Sequence, residues 1–86
     1  MDSQDRVATF VDERDVDAEP AYRVLDLAAE TGEIAADPAK SSDYGDALFS
    51  LLATAESLDI DAGAALDGSL AKYERRVDES GDPGSK

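Results

Sequence analysis

The chain has 86 residues, 21 acidic against 8 basic side chains, a formal net charge of −13, and neither cysteine nor histidine. That composition removes disulfide stapling, thiol chemistry, imidazole bases and the usual zinc sites, so any bound metal must accept oxygen ligands. It also argues against nucleic acid, whose phosphates would be repelled over most of the surface. The N-terminal MDSQDRVATF is unlike a signal peptide and no apolar run is long enough to cross a bilayer, so no membrane contact and a cytoplasmic location are expected.

Asp outnumbers Glu two to one and Lys is scarce, a balance that resembles proteins from salt-loving cytoplasms, where a short Debye length screens self-repulsion. Residues 1–80 read as one small domain, and 81–86 (GDPGSK) as a flexible tail. At this size one subunit hides only a modest part of its apolar surface, which favours oligomerisation.

Four helical patterns follow in order. Val7, Phe10 and Val11 predict a short first helix over 3–13. Pro20 suits the first position of a second helix, whose Val24, Leu27, Ala28, Thr31, Ile34 and Ala35 line one face until Pro38 stops it. The third has the cleanest period, with Tyr44, Leu48, Leu51, Ala55 and Leu58 stepping by four and three and Ser42 as N-cap. A fourth starts at Asp61, carries Leu66, Leu70, Tyr73 and Val77, and ends before Gly81. No segment alternates like a strand, so the expected fold is all-α, an antiparallel bundle of about four helices.

On the second helix Glu30 and Glu33 share an acidic edge with Asp26, largely opposite the apolar stripe; on the third, Asp43 and Asp46 group with Ser50. Antiparallel packing would bring both pairs to the same end of the hairpin. One such pair is ordinary on an acidic surface. Two pairs, each enclosing a glycine that a helix interior disfavours (Gly32 and Gly45), make a metal site the stronger reading, with a packing or access reason expected for each glycine and Gly32 a point of close approach. Mg²⁺ prefers oxygen ligands and is commonly completed by a substrate phosphate.

LAAETGEIA followed by DYGDALFSLL resembles the E-x-x-E … E-x-x-D signature of the MazG-like nucleotide pyrophosphohydrolases, and LDGSLAKYERR resembles their closing helix. The likeness runs from about Tyr22 to Arg76. It implies a MazG-like bundle completed by dimerisation or tetramerisation, and Mg²⁺-dependent hydrolysis of nucleoside triphosphates to monophosphate and pyrophosphate, with Mn²⁺ as an alternative ion. Carried over by position, Glu30, Glu33, Asp43 and Asp46 are the metal ligands and Glu33 the catalytic carboxylate that orients or deprotonates water. Lys72, Arg75 and Arg76 fall where the family holds phosphates; without a ligand they would complement the helix macrodipole. Phe10 and Tyr22 are the aromatic candidates for a nucleobase.

The chain departs from the pattern in three places. Ala29 stands where many members have a first glutamate, Asp43 stands for Glu, and the link IAADPAKSSDY is shorter than the family's. Two other readings stay open, a shortened inactive member whose helices only dimerise, and an acidic helical module that binds a basic protein surface.

Overall fold

The computed structural model describes residues 2–16 and 18–81, and these form four α-helices with no strand among them. Helix α1 is Ser3–Arg14, α2 Pro20–Ala36, α3 Ser41–Ser57 and α4 Ala62–Ser80. The all-α expectation holds, and the boundaries fall within a residue or two of those read from the sequence.

Each boundary has a local cause. Asp2 caps α1 by accepting from the Asp5 N–H at 2.8 Å. The helix ends at Asp15, left-handed at φ 52°, which lets the Val16 N–H reach back to the Val11 carbonyl at 3.2 Å. Pro20 opens α2, as expected. Asp61 caps α4 through the Ala64 N–H at 3.0 Å, and Gly81, at φ 74°, closes it. The loose tail expected over 81–86 therefore begins at a C-cap, and its residues 82–86 lie outside the described residues.

The N-cap of α3 is a correction: it is Lys40, with no side-chain cap bond, and not Ser42. The link from α2 is turned so tightly, by the Lys40 N–H on the Asp37 carbonyl at 3.2 Å, that the helix is under way by Ser41. The Tyr44 hydroxyl, donating to the Pro38 carbonyl at 2.9 Å, fastens the same turn. So short a link makes α2 and α3 neighbours, and their contacts pack them as a hairpin.

Helix α2 packs on α3, and α1 packs on α3 from another side. The α2 positions withdrawn from solvent include Arg23, Leu27, Glu30 and Ile34, and those of α3 include Asp43, Ala47, Ser50 and Thr54. Both sets are spaced four, three, four, so each is one helix face. The apolar stripes expected to form the core are largely elsewhere. Leu27 and Ile34 turn inward, but Val24, Tyr44, Leu48, Leu51 and Leu58 are each roughly half exposed, and of the α3 stripe only Ala55 is buried. Ala47, Ser50 and Ala53 put small side chains on the packed side of α3, and the Thr54 hydroxyl is satisfied within the helix, donating to the Ser50 carbonyl at 2.7 Å.

The buried apolar residues are Leu52, Ala53 and Ala55, with one large side chain among them. Between α1 and α3, Phe10 and Phe49 meet edge to face with centroids 5.9 Å apart. Helix α4 packs along none of the other three.

Candidate functional site

The hairpin brings one member of each acid pair into its seam and leaves the other outside. Glu30 is half-buried, and its Oε1 accepts from the Ser50 hydroxyl at 3.0 Å, joining α2 to α3. Asp43 is 3% exposed and lies in the first turn of α3, where the helix dipole favours a negative charge. Its carboxylate has no hydrogen-bond or ion-pair partner among the described residues, and because no fully sealed side-chain polar atom is left unsatisfied there, its oxygens keep contact with solvent. Glu33 and Asp46 are exposed. Among the described residues no three acidic side chains gather closely enough to form a metal-holding group. The donor chemistry nonetheless suits a hard divalent cation, since all four side chains offer carboxylate oxygens.

A fifth polar residue of this seam escaped the sequence reading. Arg23 is 8% exposed, donates from Nη2 to the Val16 carbonyl at 2.7 Å and places its guanidinium 5.9 Å from the Phe49 ring centroid. It ties the α1–α2 link to α2 and to α3 at once. The signal was present in the spacing, because Arg23 precedes Leu27 by four and Glu30 by seven, but a charged residue in that register reads as surface.

The glycines are a second correction. A Cβ built on Gly32 or Gly45 meets nothing within 4 Å, so neither is a point of close approach within one copy. Gly45 instead lines an open cleft of about 480 Å³ between α1 and α3, with Ser3, Arg6, Phe10 and Phe49 among its other walls. Phe10 thus stands in this cleft, with the Arg14 guanidinium 5.2 Å from its ring centroid. Tyr22 is 65% exposed on α2.

The basic candidates are all on α4. Lys72 and Arg76 lie over the Tyr73 ring, at 4.9 and 5.5 Å from its centroid, and Arg75 donates to the Ala71 carbonyl at 3.4 Å within the helix. Among the described residues α4 makes no extensive contact with α2 or α3, the helices that carry the acids. No protein-family model, curated protein or solved structure matches this chain.

Proposed function

We propose that the protein is a Mg²⁺-dependent nucleoside triphosphate pyrophosphohydrolase that acts as a homo-oligomer, releasing monophosphate and pyrophosphate. The observation that favours this reading is the inward turn of Glu30 and Asp43. One carboxylate of each acid pair thus lies at the α2–α3 seam, so that a hard cation bound there would take oxygen ligands from both helices.

Glu30, Glu33, Asp43 and Asp46 are the residues to hold the cation, which when bound supplies Lewis-acid polarisation of the α-phosphate and an acidified water. The reading requires the exposed Glu33 and Asp46 to turn toward Glu30. Glu33 orients the attacking water and takes its proton. Lys72 and Arg75 offset charge on the departing pyrophosphate, with Arg76 beside them. Phe10, in the α1–α3 cleft, offers an aromatic face to the base.

The test is pyrophosphate release from a panel of nucleoside triphosphates with Mg²⁺ or Mn²⁺ at high salt. Turnover that falls at least about 100-fold in a Glu30→Gln, Glu33→Gln double variant is expected, since loss of an essential base or ligand removes most of the catalysis. No turnover, together with no rise in melting temperature on adding the cation, overturns the enzyme reading. Activity that survives the double variant overturns the site.

A further inference from the structure

We infer that the cleft between α1 and α3 is a binding site for a small aromatic monocarboxylate, whose carboxylate pairs with Arg6 while its ring packs against Phe10 and Phe49. Nothing in this rests on the proposed chemistry. Such a ligand would compete with a base for the Phe10 ring.

Charge singles the cleft out. Residues 1–61 carry 16 acids and only 4 bases, yet three of those four bases, Arg6, Arg14 and Arg23, stand at this cleft or against its two rings. Arg6 lines it directly, Arg14 holds its guanidinium 5.2 Å from the Phe10 centroid, and Arg23 holds its own 5.9 Å from the Phe49 centroid. None of the eight lining residues is acidic, in a chain where 21 of 86 are. The acids nearest in sequence, Asp2, Asp5 and Asp46, lie outside its walls. A second cleft between the same helices, of about 460 Å³, is the contrast: Asp12, Glu13 and Glu56 stand on its walls and no base does. An anion is favoured at the first cleft and opposed at the second.

Arg6 is also uncommitted. It is exposed, and its guanidinium has no hydrogen-bond, ion-pair or ring partner among the described residues, whereas Arg14 is engaged with Phe10 and Arg23 with the Val16 carbonyl. Asp2, four residues before Arg6 and so its neighbour along the helix, turns Oδ1 to the Asp5 N–H instead. A guanidinium fork matches a carboxylate in plane and spacing, giving two parallel N–H···O bonds. The Ser3 hydroxyl, one turn earlier on the same wall, offers a further donor. One free guanidinium matches one negative charge, and a chain of net −13 opposes a second that no cation accompanies.

The remaining walls suit a flat apolar body. Leu48 and Leu52 join the two phenyl rings, which stand at 89° to one another, so a third ring can meet one by its face and the other by its edge. At Gly45 a Cβ would meet nothing within 4 Å, and the cleft is open there. Its volume of about 480 Å³ falls within the range of small-molecule sites, about 300–1,000 Å³. One or two fused rings bearing a single carboxylate fit that space and that charge.

The experiment is a titration of the full chain with 2-naphthoate at high salt, read from backbone amide shifts. Two comparison ligands are 2-naphthylmethylamine, which puts the opposite charge on the same rings, and a nucleoside monophosphate. Naphthoate is expected to bind with a Kd of about 1 mM or tighter, the scale for a ligand of this size. It should move the amides of Ser3, Arg6, Gly45 and Phe49 and bind about 10-fold more tightly than the amine. The chain's net charge of −13 acts the other way and favours the amine, so the order of the two reads the cleft itself. Arg6→Gln is expected to weaken naphthoate about 3- to 10-fold without weakening the amine, and Gly45→Leu, which fills the cleft, to abolish binding. Arg6 is exposed, so its variant keeps the test decisive even if Gly45→Leu does not fold. No saturable shift at the cleft, an amine bound as tightly as naphthoate, or naphthoate binding indifferent to Arg6→Gln would each overturn the site. A nucleoside monophosphate that displaces naphthoate and binds more tightly would give the cleft to the base instead.

Discussion

The hairpin of α2 and α3 and the arm α4 invert what their sequences advertise. The α4 stripe of Leu66, Leu70, Tyr73 and Val77 is as regular as the stripes of the hairpin, yet Leu66, Leu70 and Val77 are exposed and α4 buries no residue. The hairpin seam runs through Arg23, Glu30, Asp43, Ser50 and Thr54, and it is the part that packs. Connectivity decides this. The few residues between α2 and α3 keep those helices together, whereas α4 is held at its root, where Gln4 donates to the Ile60 carbonyl and accepts from the Ala62 N–H, and makes no extensive contact with the other helices among the described residues. A helix face reports how much burial it wants, and the links on either side decide whether the same copy supplies it.

The sharpest way to break the contrast is at the core. Leu52→Ala is expected to cost about 2–5 kcal/mol, the range for a buried leucine truncated to a cavity, read as a fall in the urea midpoint with unchanged slope. A loss under about 1 kcal/mol would mean that the principal core lies somewhere other than the α1–α3 contact. Next comes the cap of the arm. Asp61→Ala removes the acceptor for the Ala64 N–H and should cost about 1 kcal/mol. If α4 stands free, the loss appears as helical signal melting ahead of the main transition. If α4 is docked, one concerted transition moves with protein concentration. The smallest effect is expected at Gly45→Ala, where a Cβ meets open space. The fold should gain up to about 1 kcal/mol. A destabilised or monomeric Gly45→Ala would show that something covers that surface in solution.

Much of the secondary structure was legible because its signals are local. Pro20, Asp61 and Gly81 act through their own backbone geometry, and each does what its chemistry dictates. Ser42 failed as a cap because the tight turn at 37–40 had already begun the helix. The facing of the helices was only half legible. Leu27 and Ile34 turn inward as their period suggested, but hydropathy alone cannot rotate a helix toward Ser50 and Thr54 when its packed side carries small residues. The acid pairs were visible as pairs, and the division of each into an inner and an outer member was not, since i and i+3 sit on either side of a seam whose position depends on the neighbour. Arg23 was invisible for the same reason. Nothing near 56–62 in the sequence hints that a glutamine 58 residues earlier holds that turn.

That glutamine also sets a dependence. Helices α2 and α3 meet through a short link, whereas the root of α4 is held by a residue 58 positions earlier in the chain. Contacts of such sequence separation are slow to form. The hairpin can therefore persist without α1, whereas the setting of the α4 root cannot.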